Sequence, residues 1–264
     1  EDLLLTNATG KRLYERYAKD LPVIDYHCHL LPGEIYENRE FEDIGEMWLA
    51  HDHYKWRAMR CFGIPERYIT GDATYYEKYL KFAEILPELV GNPLYIWCAL
   101  ELKRYFDIEE ALNRDNAAEI YRRCKEKIVK CHMTPLYCMK VSRVELACTT
   151  EDPTDTLIYH RKMQEQGTEG IRIISAFRPD KAFYAEKPGF AQYMRCLSDA
   201  ARMPVGSFRE MMAALESRLK FFRETGSMIS DNGIEDFTWQ DYTAEEIEAI
   251  FARAAAGEAL DTAE

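Results

Sequence analysis

The spacing of apolar and polar positions changes rhythm twice along the chain. Near the start, a helix around Leu13, Tyr14 and Tyr17 precedes the run Pro22-Val23-Ile24-Asp25-Tyr26-His27-Cys28-His29, which reads as a strand. From about residue 40 to 140 the pattern turns helical and aromatic. Thr74-x-x-Glu77 is a capping box that opens a helix with Leu80, Ile85 and Leu89 as apolar positions. Gly91-Asn92-Pro93 punctuates that helix, and Asp115 is expected to start another through Ile120, Cys124 and Ile128. After that, strand and helix alternate. Val144 to Cys148 reads as a strand, and Asp152-Pro153 opens a helix that stops at Gly167. Ile171 to Ala176 is the next strand, followed by two helices, the later one opened by Ser207-x-x-Glu210 and closed by Gly226. Met228 and Ile229 make a short strand, and Thr243-x-x-Glu246 caps a last helix through Ile247, Ile250 and Phe251.

Strands separated by helices call for a parallel sheet covered by helices, an α/β fold. The reading gives one such strand before the helical stretch and three after it, whereas a closed (β/α)8 TIM barrel has eight. The expected organisation is an N-terminal half-barrel, residues 1–39 and 141–264, with a helical insertion at 40–140.

Composition narrows the function. The chain has 264 residues, 47% of them hydrophobic, with 12 Phe and 17 Tyr, which is a globular rather than a disordered composition. A net charge of -12 argues against nucleic acid as a partner, because phosphate binding needs a dense positive stripe. No apolar run reaches the roughly 18–20 residues of a membrane span, so no membrane partner is expected. The chain opens at Glu1 without Met, which leaves a removed leader as an option. None of the eight Cys forms a Cys-x-x-Cys pair, and several sit among apolar residues, as buried thiols do in a reducing cytoplasm.

Candidate chemistry begins at His27-Cys28-His29. Side chains two apart on a strand share a face, so both imidazoles would point the same way, with Asp25 one step before them. Two imidazoles at the C-terminal mouth of a barrel make half of a divalent-metal site, and core packing is the alternative. Arg178 follows a strand, and its planar fork suits a carboxylate; an ion pair with Asp180 is the alternative there.

The segment Asp25-Tyr26-His27-Cys28-His29-Leu30 resembles the first-strand motif of uronate (glucuronate) isomerases, metal-dependent barrel enzymes of the amidohydrolase superfamily. Further blocks resemble the same family in the same order: Asp52-His53-Tyr54-Lys55-Trp56, Tyr68-Ile69-Thr70-Gly71-Asp72, Gly91-Asn92-Pro93-Leu94-Tyr95, Cys148-Thr149-Thr150-Glu151-Asp152-Pro153 and Arg178-Pro179-Asp180-Lys181-Ala182. The resemblance covers essentially the whole chain but only the first half or so of the family's sequence.

It implies interconversion of D-glucuronate with D-fructuronate and of D-galacturonate with D-tagaturonate, by proton transfer through an enediol. It also implies a divalent metal, zinc in the family, on His27 and His29, with His53, Tyr54 and Arg178 on the substrate and Tyr54 and Asp231 as catalytic groups. A helix N-cap is the other reading of Asp231. The implied partner is a small hexuronate, the implied location the cytoplasm, and a homo-oligomer is left open. Two departures stand out. Asn232 occupies the place of a family His, and the family's metal-binding Asp lies beyond residue 264, so the chain alone is expected to be inactive. A metal-dependent hydrolase of the same superfamily and an inactive isomerase-like binding protein are the rival readings.

Overall fold

The computed structural model describes residues 4–234 and 240–260. The chain divides into two compact units, one formed by Glu1–Tyr36 with Arg143–Glu264 and the other by Glu37–Ser142.

The first unit holds the sheet. Its strands β1 (Val23–Asp25), β2 (Val144–Glu151), β3 (Arg172–Phe177) and β4 (Ile229–Ser230) are all parallel and lie in sequence order, as in half of a (β/α)8 barrel. Helices Ile158–Gln166, Phe190–Ala201, Phe208–Glu224 and Ala244–Ala255 supply the layer that such strands need. Their contact is apolar: Phe222 meets Phe177 edge to face, with ring centroids 5.2 Å apart. Because β3 is covered on both sides, Ile173 through Phe177 are all buried, and the run shows no alternation.

The second unit is helical among its described elements, from Ile44–Leu49 to Pro135–Val141. Its core gathers Trp48, Met59, Tyr79, Phe82, Leu102, Ile120 and Ile128.

Local chemistry explains where the elements stop. The capping boxes at Thr74 and Thr243 form in full. At Ser207 only half forms: its hydroxyl takes the Glu210 N–H, while Glu210 reaches one residue further back to the Gly206 N–H at 2.7 Å. The helix expected from Asp115 starts at Ala117, because the Asn113 side chain takes the N–H groups of both Asp115 and Asn116 and holds them in a turn. The helix expected from Asp152-Pro153 starts only at Ile158. Asp152 accepts from the Thr154 N–H and hydroxyl, Asp155 accepts from the Leu157 N–H, and Leu157 sits at φ 52°, so two turns come before the helix.

Two strand ends also differ from expectation. β2 runs three residues past Cys148, through Thr149, Thr150 and Glu151. β1 ends at Asp25 rather than His29, after a register shift at Val23/Ile24. Pairing resumes beyond that end, where the Cys28 N–H donates to the Cys148 carbonyl at 2.9 Å.

Candidate active site

The ends of the parallel strands carry the polar groups. Just past β1, the backbone of Cys28 is held at both of its polar atoms. Its N–H goes to Cys148, and its carbonyl accepts the Thr150 hydroxyl at 2.9 Å. The two flanking histidines converge from this anchored residue, with His27 Nε2 and His29 Nε2 3.1 Å apart. The convergence therefore comes from a tethered loop and not from strand alternation. The nearby Asp25 carboxyl is raised above the usual carboxylate range, chiefly by burial.

Past β4, the Asp231 N–H donates to the Phe177 carbonyl at 3.1 Å, which extends the β3–β4 ladder by one residue. This sets Asp231 Oδ2 3.0 Å from His27 Nδ1 and 3.3 Å from Arg178 NH1. The oxygen is buried and takes no hydrogen bond of good geometry from either, so its hold on both is electrostatic. A carboxylate facing Nδ1 favours a proton there and leaves Nε2 as the lone-pair nitrogen, the form in which imidazole ligates a metal. Arg178 in turn donates from Nε to Asp180 Oδ2 at 2.7 Å. That bond raises the guanidinium's pKa above its already high ordinary value. The Asp180 ion pair considered from the sequence therefore exists, and it engages one edge of the fork.

The structure thus brings His27, His29, Asp231 and Arg178 together. His53 and Tyr54 lie in the other unit, as the first two residues of helix His53–Cys61, with ring centroids 4.2 Å apart. That helix is fastened by Asp52, whose carboxylate takes the Tyr54 and Lys55 N–H groups and a 2.6 Å contact from the buried Lys55 ammonium. Asn232 is exposed.

The histidine pair suits two ligands of a divalent ion, since 3.1 Å is less than twice a Zn–N bond of about 2.0–2.1 Å. Among the described residues, no group of three or more His, Cys, Asp or Glu is arranged to hold a metal. The fit is to half of a site.

A second polar cluster was not singled out from the sequence. Thr149 and Glu151 share one face of β2, and the Thr149 hydroxyl lies 2.9 Å from both Glu151 Oε2 and His160 Nε2. All three are buried. Burial pushes the Glu151 carboxyl up to about 8 and the His160 imidazole down to about 4. The available signal was a polar Thr-Thr-Glu run closing an apolar strand.

Comparison with known proteins gives the family of the chain. A family model described as Glucuronate isomerase matches residues 1–264. The uronate isomerase of Lachnospira eligens is 44% identical over 264 residues, which is 100% of this chain and 56% of that protein. That of Caldicellulosiruptor bescii is 45% identical over 98% of this chain and 56% of the relative. Among solved structures, uronate isomerase from Thermotoga maritima superposes with a TM-score of 0.91 at 36% identity, covering 100% of this chain and 57% of that one. Glucuronate isomerase from Caulobacter crescentus gives 0.84 at 26% identity, with 96% and 54% covered. The chain spans about half the length of the curated relatives it matches. With a family model that matches its whole length and relatives 44% and 45% identical over 100% and 98% of it, the chain belongs to the glucuronate isomerase family.

Proposed function

We propose that the whole protein interconverts the aldehyde and ketone forms of hexuronates, D-glucuronate with D-fructuronate and D-galacturonate with D-tagaturonate. In this reading residues 1–39 and 141–264 are barrel and 40–140 an insertion into it. The observation that carries the proposal is the juxtaposition of a paired imidazole site with a fixed guanidinium, bridged by Asp231 Oδ2 at 3.0 Å and 3.3 Å. A sugar acid needs both: a site for the reacting oxygens and a cation for the carboxylate. In a chain of net charge -12 the cation has to be local.

His27 and His29 would hold a divalent metal, zinc by family resemblance, which would supply Lewis-acid polarisation of the substrate oxygen. Asp231 keeps the proton of His27 on Nδ1 and is placed to move a proton at the reacting carbons. The NH1/NH2 end of Arg178, left free by the Nε bond to Asp180 and close to Asp231, would take the substrate carboxylate. By the family resemblance, His53 and Tyr54 would add contacts to the substrate, with Tyr54 as a proton carrier. The location proposed is the cytoplasm, where the buried thiols of Cys98, Cys124 and Cys148 stay reduced. No helix among the described residues is long and apolar enough to cross a membrane. Isomerisation is favoured over metal-dependent hydrolysis because the relatives named above are uronate isomerases.

The test compares D-glucuronate with D-glucose, the same sugar without the carboxylate. The whole protein should convert the first to its ketose and leave the second unchanged. Equal turnover of both, or turnover of neither by folded, metal-loaded protein, would count against the proposal.

A further inference from the structure

Beyond the groups that would touch substrate, the loops after β3 and β4 are joined through a single carboxylate. Asp180 follows β3 by three residues and lies in the short turn Asp180–Ala182. Its Oδ2 accepts Arg178 Nε at 2.7 Å, and both of its oxygens accept the Gly233 N–H, at 3.1 Å and 3.0 Å. Gly233 is two residues past Asp231, and its carbonyl accepts the Tyr184 hydroxyl at 2.8 Å. The forked bond to Asp180 and the one from Tyr184 thus fix both polar atoms of Gly233. The position is also tightly covered: a Cβ there would lie 2.5 Å from Arg178 NH2 and 3.0 Å from Asp180 Oδ2, so any other residue would push the guanidinium aside.

We propose that Asp180 is the positioning residue of the site, aligning Arg178 directly and Asp231 through the Gly233 backbone so that the two side chains keep one geometry toward His27. The inference rests on the functional reading above for the roles of Arg178 and Asp231, though the geometric claim stands without it. Two arguments favour positioning over a surface ion pair. The Asp180 carboxylate is only 21% exposed, and besides its neighbour Arg178 it satisfies a donor 53 residues away, Gly233, which an exposed i,i+2 pair does not do. The residue it reaches through Gly233 also carries the one oxygen that faces both His27 and Arg178. Removing the carboxylate leaves the Gly233 N–H without its acceptor and unpins the Arg178 fork, so both sides of Asp231 loosen together.

The test uses Asp180→Ala and Gly233→Ala, with Lys220→Ala as a surface control. The first variant removes the carboxylate. The second retains it but forces a Cβ against the guanidinium. The readout is the long-range nitrogen–proton spectrum of the His27 ring, which reports the fraction of Nδ1-protonated tautomer, recorded on the 264-residue chain. His27 does not touch Asp180, so a role confined to local stability would not move this signal. Both variants, where folded, should lower the Nδ1–H fraction, and the control should match the parent. In the whole protein each should reduce kcat/KM for D-glucuronate by about a hundred-fold, the scale of a 1 Å misplacement, and the double variant should lose little more than either single one. Should Asp180→Ala not fold, Asp180→Asn, which keeps the side chain's shape but not its charge or its second acceptor oxygen, answers the same question. A folded variant of either kind with the parent His27 tautomer signal would overturn the proposal. A changed tautomer with no isomerase activity in the parent protein would instead uphold positioning and reject the functional reading.

Discussion

Replacing Glu151 by Gln should make the chain more stable at alkaline pH. Glu151 ends β2 beside Thr149 and His160, and at 6% exposure it has almost no water to support a charge. Its pKa rises from 4.5 to about 8, mainly through burial, so between these values the folded state binds a proton that the unfolded state has lost. Stability contributed by this group is complete below pH 4.5 and is lost as pH rises toward 8, at about 1.36 kcal/mol per unit. His160 works in the opposite direction. Its pKa falls from 6.5 to about 4, so its contribution grows with pH across that window and is complete above 6.5. The two slopes cancel where they overlap, leaving Glu151 alone to act from pH 6.5 to about 8. Over that interval the parent chain should lose about 2 kcal/mol. Gln mimics the protonated acid, retains an oxygen for the Thr149 hydroxyl and cannot ionise. Glu151→Gln should therefore lie within about 1 kcal/mol of the parent near pH 5 and become clearly more stable by pH 8.5. Urea unfolding at half-unit steps from pH 5 to 9, followed through the sheet-bearing unit, measures this. Parallel stability curves for the two chains would refute the assignment of Glu151 as the buried proton.

Three further substitutions probe the site and the helical unit. Thr150→Val removes the hydroxyl that holds the Cys28 carbonyl but keeps its shape; zinc affinity of the chain, followed by competition with a chromophoric chelator, should fall about ten-fold, and Thr150→Ser should restore it. Arg178→Lys in the whole protein should lose most activity on D-glucuronate, because an ammonium cannot reproduce the bidentate fork, and unchanged steady-state kinetics would dismiss the clamp. Gly45→Ala should cost about 1–3 kcal/mol in thermal unfolding, since its Cβ would run into the Tyr75 backbone carbonyl.

Much of the architecture was readable from local signals. Caps at Thr74 and Thr243, the glycine stop at Gly167 and the apolar runs of β2 and β3 depend only on neighbours in sequence, and the structure follows them. The boundaries that moved lie where side chains compete for backbone donors. Asn113 and Asp152 each capture N–H groups that a helix would otherwise start with, and composition does not disclose which competitor wins. The histidine pair was also legible as a pair. What brings its rings together was not, because Thr150 reaches Cys28 across 122 positions; nor was the hold on Asp231, because Asp180 reaches Gly233 across 53. The Glu151–His160 cluster was hidden for a related reason: Thr149 bridges it only once β2 and the following helix are packed.

The most direct test of the central claim is D-glucuronate isomerisation by the whole protein, with His27→Ala and His29→Ala measured alongside at matched zinc loading. The parent should form the ketose, and each variant should lose at least about a thousand-fold in kcat/KM and bind zinc more weakly. A histidine variant that folds and isomerises at the parent rate would contradict the claim.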